Sequence, residues 1–331
     1  MEKKDFLGID VSKLTIDCHL HMMQVAKQFK NAKSGFKSME RWLKQQTNLS
    51  LSELVICFEA TGSYSFELTR YLADDNLEFT VDSGYRISRT LGLVRGKNDP
   101  VDALRIAEYA YRYADKLRVY QMPSDDLIQL HKLYNLRRKL KKDLAGYRTR
   151  LKEEKRIDFF NIPVLNDPQI AVIEALKQSV ADVEKSMEAI IRDNSELQKN
   201  YDLLVSIKGV GFVTATLVIA LTANFTLFDD PKKFASYSGT APFSYQSGTS
   251  INKGKRVSKL ANAEMRSILT QGAKSARQHD PELKAYADAR AKAGKSPMST
   301  INILRNKLIS RMFAVIRKQK PYEIRVPNTA A

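Results

Sequence analysis

The spacing of hydrophobic residues changes near residue 120, and this change restricts the folds that the chain can adopt. Upstream of it, apolar runs of strand length alternate with stretches of helical spacing. These patterns predict strands over 6–9, 15–20, 25–29, 54–58 and 78–81, and helices over 34–46, 65–73 and 99–112. Three leading strands followed by alternating helices and strands indicate an α/β domain over residues 1–120.

Downstream of a linker at 122–126, leucines recur at steps of three and four from Leu130 to Leu151, which predicts one long amphipathic helix. A second apolar stripe runs from Ile170 to Ile190. Two such helices joined by a short break predict a coiled-coil hairpin arm over 121–200, whose simplest role is that of a spacer or dimerisation element. Residues 201–321 are predicted to form a mainly α-helical domain, and 322–331 a disordered tail.

The net positive charge of the chain limits the kinds of molecule that it is expected to bind. The chain carries 54 Lys and Arg against 37 Asp and Glu among its 331 residues, a net charge of +17, which is typical of proteins that bind a polyanion or an anionic membrane. No membrane role is expected, because the longest apolar run, 212–223, is shorter than the roughly 18 to 20 residues that cross a bilayer. With no signal peptide expected, and with Cys18 and Cys57 expected as buried free thiols, we expect a cytoplasmic protein.

Four carboxylates fall at positions where they can gather at one end of the predicted sheet. Asp10 and Glu59 end strands, whereas Asp99 and Asp102 open the helix that begins at Pro100. The last two also have a purely structural explanation, since Asp99 suits the N-cap of that helix. Four clustered acids repel one another unless a divalent cation lies between them, and carboxylate oxygens are ligands of Mg²⁺. The set predicts metal-dependent chemistry on nucleic acid.

A glycine-rich turn formed by Lys208, Gly209 and Gly211 precedes a predicted helix. Glycines two apart at a helix start expose backbone N–H groups that bind anions, and the pattern is similar to the hairpin of helix-hairpin-helix modules, which hold DNA phosphates. The alternative is a tight turn between two helices.

Basic residues form two sets that suit contacts with nucleic-acid phosphates. The first set lies on the long predicted helix and the second follows a serine-rich loop; they are Arg137, Arg138 and Lys141, and Lys253, Lys255, Arg256 and Lys259. The alternative is a solvated charged face, although the one-sided excess of basic residues favours phosphate contact.

A serine-rich segment spans 242–250, and its last four residues, 247–250, are predicted to form a loop. From spacing alone Ser247, which precedes Gly248, is expected to be a turn residue, because no His or Asp lies nearby to complete a hydrolase triad.

These motifs occur together in the order and at the intervals of one known family. They are Gly8-Ile9-Asp10, Glu59-Ala60-Thr61-Gly62, Asp99-Pro100-Val101-Asp102-Ala103, and Phe234-Ala235-Ser236-Tyr237-Ser238-Gly239 leading to Pro242 and Ser247-Gly248. On these residues the chain resembles, from Gly8 to about Pro321, the insertion-sequence transposases of the IS110 family, whose relatives include the pilin-gene invertases. It departs from them at Lys208, where relatives often have proline, and this affects the expected geometry of the turn.

The resemblance implies a fold and a site. It implies a RuvC-like, RNase H-like N-terminal domain with an Asp-Glu-Asp-Asp tetrad, a coiled-coil arm, and a C-terminal transposase domain with a serine nucleophile. By motif, the residues implied are Asp10, Glu59, Asp99 and Asp102 as ligands of Mg²⁺, and Ser247 as the nucleophile. Ser244 and Ser250 remain alternatives for the nucleophile.

The resemblance also implies partners. These are donor and target DNA, a structured noncoding guide RNA (a bridge RNA) that pairs with both, and further copies of the chain in a dimer or tetramer in the bacterial cytoplasm, associated with the nucleoid. The expected function is DNA transposition or recombination by Mg²⁺-dependent attack of a serine hydroxyl. The alternatives are a metal-dependent junction-resolving nuclease that uses water and a non-catalytic nucleic-acid scaffold.

Overall fold

A computed structural model describes residues 5–90, 99–157, 162–247, 251–258 and 260–324, with the backbone alone described at 99–100, 244–247 and 251–256. The chain divides into two compact units, Met1–Met122 and Pro123–Ala331.

The first unit is built on a five-stranded sheet. Its strands are β1 (Asp5–Val11), β2 (Thr15–Leu20), β3 (Val25–Lys30), β4 (Leu54–Glu59) and β5 (Phe79–Asp82), in the spatial order β3-β2-β1-β4-β5. The first three strands are antiparallel, whereas β4 runs parallel to β1 and β5 parallel to β4. The α/β class predicted for this part of the chain is confirmed.

Helices cover both faces of the sheet. They are α1 (Lys33–Thr47), α2 (Phe66–Asp74), α3 (Gly84–Thr90) and α4 (Asp99–Arg112). Leu7, Ile9 and Ile56 share one face with Phe36 and Met39 of α1 and with α2 residues in a buried core. On the other face, Cys57 of β4 packs with residues of α3 and α4. Helix α3 is absent from the predicted elements.

The second unit is mainly helical. Its helices are α5 (Asp125–Ile157), α6 (Pro163–Asp193), α7 (Ser195–Val205), α8 (Phe212–Leu221), α9 (Pro231–Tyr237), α10 (Ala263–His279), α11 (Pro281–Lys292) and α12 (Pro297–Lys318). Helices α5 and α6 pack against each other. Arg137 early in α5 pairs with Glu184 late in α6, and Glu154 late in α5 contacts Gln169 early in α6, so the two helices are antiparallel. Coiled-coil packing of this pair remains a prediction.

One hydrophobic core joins the base of the α5–α6 pair to the rest of the second unit. Leu130 of α5, Met187 of α6 and Leu308 of α12 are buried in the same cluster. The α5–α6 pair and the C-terminal helices therefore form one packed unit.

A β-hairpin interrupts the helices of the second unit, for which the sequence predicts helices with glycine-rich interruptions and no strands. Strands β6 (Pro242–Ser247) and β7 (Ile251–Val257) pair antiparallel, with a register shift between Ser244 and Gln246. Of the predicted loop at 247–250, Ser247 is the last residue of β6, and Gly248, Thr249 and Ser250 lie outside the described residues.

The described C-terminal end is fastened to the second unit. The Tyr322 N–H donates to Ser206 Oγ over 2.8 Å, and the Arg311 guanidinium lies 4.4 Å from the Tyr322 ring centroid. Tyr322, the first residue of the predicted tail, thus contacts the C-cap of α7 and Arg311 of α12, and the residues from 325 onward lie outside the described part. Within the described helices, none is long and apolar enough to span a bilayer.

Candidate active site

A row of acids crosses the sheet at one level, where β1, β4 and β5 approach their carboxyl ends. Asp10 of β1 is paired in register with Asp17 of β2, and Glu59 of β4 with Asp82 of β5. The parallel pair of β1 and β4 aligns Ile9 with Phe58, so Asp10 and Glu59 follow as neighbours. Because residues in register point to the same face of a sheet, the four side chains share one face.

That face is the one covered by α4. A Cβ atom on Gly8 would overlap the backbone of Ala103 and Ala107, so β1 and α4 approach closely there. Since side chains alternate along a strand, Asp10 points to the same side as Gly8.

The direction of α4 brings its first turn toward the acids. The Phe6 ring lies 5.2 Å from the ring of Tyr111 near the end of α4, whereas Gly8 meets Ala107 and Ala103 further back. Strand β1 and helix α4 therefore run in opposite directions, so that the end of β1 at Asp10 lies toward the start of α4. Asp99 and Asp102 are in that first turn of α4. The Asp102 carboxylate accepts a hydrogen bond from Arg105 over 2.7 Å, and the side chain of Asp99 lies outside the described set.

Glu59 is placed by a close contact with the backbone. A Cβ on Gly84, at the start of α3, would overlap the Glu59 carboxylate. Glycine at this position allows the carboxylate to lie directly against the main chain.

Asp82 is a member of the row that the sequence reasoning missed. Its Oδ2 accepts from the Tyr109 hydroxyl over 2.7 Å and pairs with Arg86 over 3.0 Å. Burial, and then the bond to Asp82, raise the pKa of Tyr109, so its hydroxyl stays protonated and donates. The signal was available, because Asp82 ends an apolar strand as Glu59 does.

Asp17 is the other missed acid, and it is buried. Both its carboxylate oxygens accept from Gln28 Nε2, over 3.1 and 3.0 Å. Cys57, on the same face, is a buried free thiol, and burial followed by the charge of Asp82 raises its pKa to about 12. Cys18 is also buried and free, so the prediction for both cysteines is confirmed.

Oxygen donors dominate this face, which suits a hard divalent cation. Among the side chains that the structure describes, no three His, Cys, Asp or Glu groups are close enough to share one metal ion. Asp10 and Glu59 are brought side by side, and the complete tetrad with Asp99 and Asp102 stays a prediction.

Ser247 is the last residue of β6, aligned in register with Ile251 of β7. Ser244 lies earlier on the same strand, aligned with Lys255, and Ser250 lies outside the described residues. Lys253, Lys255 and Arg256 are on β7 with only their backbone described, and Lys259 is outside the described residues.

The glycine turn connects α7 to α8. Gly209 has φ +92°, and a Cβ there would overlap the carbonyl of Gly272 in α10, so close helix packing explains this glycine. Gly211 is the N-cap of α8 and a Cβ there would meet no atom within 4 Å, while Lys208 is exposed. Phosphate binding by this turn stays a prediction for all three.

The basic face of α5 is partly neutralised inside the second unit. Arg137 pairs with Glu184 of α6 and Arg138 with Glu264 of α10, each over 2.6 Å. Lys141 is exposed, and no ion pair is found for it among the described residues. Phosphate contact stays a prediction for all three residues.

Comparison with known proteins covers both units. A family model for IS110 DEDD transposases matches residues 7–154, and a model for the transposase family IS116/IS110/IS902 matches residues 201–288. The first match contains all four predicted acids, and the second contains the glycine turn and Ser247.

Similar proteins have been described in three bacteria. The chain is 27% identical over 329 residues to the pilin gene-inverting protein of Moraxella bovis, covering 98% of this chain and 99% of that protein. The same figures hold for the pilin gene-inverting protein of Moraxella lacunata. An uncharacterised 43.6 kDa protein of insertion element IS110 from Streptomyces coelicolor is 30% identical over 159 residues, 47% of this chain and 39% of that protein.

Proposed function

Because the chain belongs to the IS110 family of transposases, whose two models together match more than half of it, we propose that it cuts and rejoins DNA through attack by the Ser247 hydroxyl on a phosphate. The family makes it a DNA recombinase, and the DEDD model suggests an RNase H-like fold for the five-stranded sheet, of the RuvC type in our proposal. The observation that carries the proposal is the alignment of Asp10 with Glu59 on the face that α4 covers.

The acids fit a divalent cation, in our proposal Mg²⁺, held by Asp10, Glu59, Asp99 and Asp102. Their donor set is oxygen only, and Glu59 is fixed by its contact with Gly84. When bound there, the ion would supply Lewis-acid chemistry at a phosphate oxygen. Arg105 holds the Asp102 carboxylate, and Tyr109 with Arg86 holds Asp82 beside Glu59, so the acidic face is ordered by this chain's own side chains.

The exchange of bonds needs no nucleotide cofactor. The Ser247 oxygen bonds to phosphorus, the bond from phosphorus to the 3′ oxygen breaks, and the hydroxyl proton ends on that oxygen as a free 3′-hydroxyl. The 3′-hydroxyl of a second strand then attacks the phosphoserine and releases the serine. The phosphodiester energy is conserved in the covalent link at each stage.

The partners in the proposal are donor and target DNA, a structured noncoding guide RNA, and further copies of the chain in a dimer or tetramer. The net charge of +17 supports a nucleic-acid partner. Recognition by base pairing with an RNA leaves little trace in protein side chains, which is consistent with basic sets that lack an obvious base-reading pattern. The α5–α6 pair is the element we assign to self-association, and the bacterial nucleoid is the proposed location.

The deciding experiment is denaturing electrophoresis of end-labelled substrate DNA after incubation with the full-length protein and Mg²⁺. We expect a band of protein with covalently attached DNA, which Ser247→Ala abolishes and the matched variants Ser244→Ala and Ser250→Ala retain. A band that persists in Ser247→Ala and disappears in one of the other two would move the nucleophile to that serine.

A second candidate function is a junction-resolving nuclease that uses water, and the same acidic face supports it. Strand cleavage by Ser247→Ala at the normal rate, with no covalent band from any variant, would establish that alternative. Loss of a metal ligand in Asp10→Asn should lower either activity by orders of magnitude. Unchanged recombination in cells that carry Asp102→Asn would instead favour a non-catalytic scaffold, with another protein cutting the strands.

A further inference from the structure

A cleft of about 540 Å³ lies beside β6 and is lined by Ser236, Tyr237, Phe243, Ser258, Leu260 and Ala261. Three of these are large hydrophobic side chains that remain open to solvent: Tyr237 is 37% exposed, Phe243 50% and Leu260 69%. Single exposed apolar residues are common on proteins, but three around one cleft indicate a binding surface.

Tyr237 forms a rigid wall of this cleft. Its ring lies 6.0 Å from the ring of the fully buried Phe234 and 5.4 Å from that of Phe228. Its hydroxyl accepts from Asn262 Nδ2 over 3.1 Å, and its carbonyl accepts from the Asn262 N–H over 2.8 Å. The ring is therefore held in place before any ligand arrives, which lowers the entropic cost of binding.

A positively charged side chain, that of Arg266, lies next to the same side of the cleft. A Cβ built on Gly239 would be 2.5 Å from Ala261 Cβ, which lines the cleft, and 3.5 Å from Arg266 Nη1. The Arg266 guanidinium is thus close to Ala261. No carboxylate pairs with it within the described part of the chain.

A second arginine increases the positive charge there. Arg305 of α12 is 8% exposed, and its buried Nε has no hydrogen-bond partner. Burial first, and then the charge of Arg266, lower the pKa of Arg305, so the two groups are near enough to repel each other. Buried charges are ordinarily paired, and the described side chains supply no acid for this pair. An anion bound at Arg266 would relieve the repulsion.

An aromatic cleft with a cation beside it matches the chemistry of a nucleotide, which has a flat base and a phosphate. The hairpin supports nucleic acid as the occupant, because Phe243 is aligned in register with Arg256. Phe243 also precedes Ser247 by four residues of β6, roughly 13 Å of extended strand. A strand that reaches Ser247 can therefore place a neighbouring nucleotide at the cleft.

We propose that this cleft holds one unpaired nucleotide of the DNA strand that is cut, with its base against Tyr237 and Phe243 and its phosphate beside Arg266. The inference rests on the proposed function, since it takes DNA as the substrate and Ser247 as the point of attack. It adds a positioning site that fixes the strand next to the nucleophile.

The first test compares the affinity of the full-length protein for a short thymidine oligonucleotide and for an abasic oligonucleotide of equal length, by fluorescence anisotropy. Both have the same charge, so only base contacts separate them. We expect the wild type to prefer the thymidine chain by about tenfold. Phe243→Ala should lose most of this preference and Phe243→Trp should keep it, whereas Tyr64→Ala, which removes a ring that is 46% exposed in the other unit, should change nothing.

The second test addresses the phosphate. Arg266→Gln should reduce the slope of log affinity against log salt by about 0.7 on the thymidine chain, the value for one phosphate on a single strand. Arg277→Gln, an exposed arginine on the same helix α10, is the matched control and should leave the slope unchanged.

The outcomes separate this site from the chemistry proposed above. Ser247→Ala should keep the preference for the thymidine chain while losing the covalent band. If no variant and no wild-type protein forms the band but the preference is present, the nucleotide site is supported and the serine mechanism is not. Equal binding of thymidine and abasic chains by the wild type would overturn it, even if the protein cuts DNA. A base preference seen with a uridine RNA chain and absent with the thymidine chain would also overturn it.

Discussion

The carboxylate of Glu59 can lie where it does because the residue beside it, Gly84, has no side chain. Gly84 follows β5 at the start of α3, and its Cα faces Glu59 so closely that a methyl group would overlap the carboxylate. The position of Glu59, a proposed metal ligand, therefore depends on the backbone at Gly84, just after the neighbouring strand β5.

Gly84→Ala should therefore lower the rate of strand cleavage by about 100-fold, because a displacement of about 1 Å in a reacting group has an effect of this size. Its free energy of unfolding should change by less than about 1 kcal/mol, since Gly84 does not occupy a left-handed conformation and the Glu59 side chain can move aside. Single-turnover cleavage and thermal melts measure the two quantities.

Gly146→Ala is the control for Gly84→Ala. Gly146 lies in α5, and an added Cβ would meet no atom within 4 Å, so the substitution should leave cleavage unchanged and raise stability by about 1 kcal/mol. If Gly84→Ala cut DNA at the wild-type rate, cleavage would not depend on the contact between Gly84 and Glu59.

At this scale the sequence identifies residue types but not contacts. Asp10 and Glu59 could be named from sequence because each ends an apolar run typical of a strand, and the register aligns Ile9 and Phe58, the residues just before them. Asp82 meets the same rule and was overlooked because its strand has four residues and no motif around it. The overlap at Gly84 leaves no trace in sequence, because glycine has several possible reasons to occur at a turn.

At the scale of elements, the turn between α7 and α8 has two explanations that use the same residues. Backbone N–H groups that bind phosphate and a close approach of two helices both require glycine. The structure shows the second reason at Gly209, which faces Gly272 of α10 and has a positive φ.

Gly209→Ala should destabilise the protein by about 2 kcal/mol or more, because the methyl group overlaps the Gly272 carbonyl and the left-handed backbone is strained. Gly211→Ala meets open space and should cost less than about 1 kcal/mol. Urea unfolding gives both values. If Gly209→Ala weakened DNA binding at unchanged stability, the phosphate explanation would replace the packing one.

The elements that were predicted and those that were missed differ in sequence pattern. Strands β1 and β4 are nearly continuous apolar runs such as Leu54–Glu59, and buried strands of this kind are recognisable. The β6–β7 hairpin has few apolar residues and contains Pro242 and a lysine-rich second strand, so no alternation marks it. The hairpin is defined by backbone pairing between its two strands, which single-residue preferences do not reveal.

At the scale of the whole molecule, the net charge of +17 sets the strength of non-specific binding to DNA, but individual arginines do not contribute equally. Arg137 and Arg138 are engaged in ion pairs that join α5 to α6 and to α10. Exposed residues such as Lys141 remain available for phosphates. A count of basic residues on a helix therefore overestimates its contact with nucleic acid.

The salt dependence of duplex binding tests this distribution of charge. If about ten phosphates are neutralised, log affinity should fall against log salt with a slope near −9, and Lys141→Gln should reduce the slope by about 0.9. The matched double variant, Arg138→Gln with Glu264→Gln, preserves net charge and removes an ion pair already satisfied within the protein, so it should leave the slope unaltered. Fluorescence anisotropy over a range of salt concentrations measures all three proteins.

A slope near zero for the wild type would mean that the basic faces are not the surface that contacts DNA. If the double variant reduced the slope as much as Lys141→Gln does, Arg138 would have to leave Glu264 and contact the duplex.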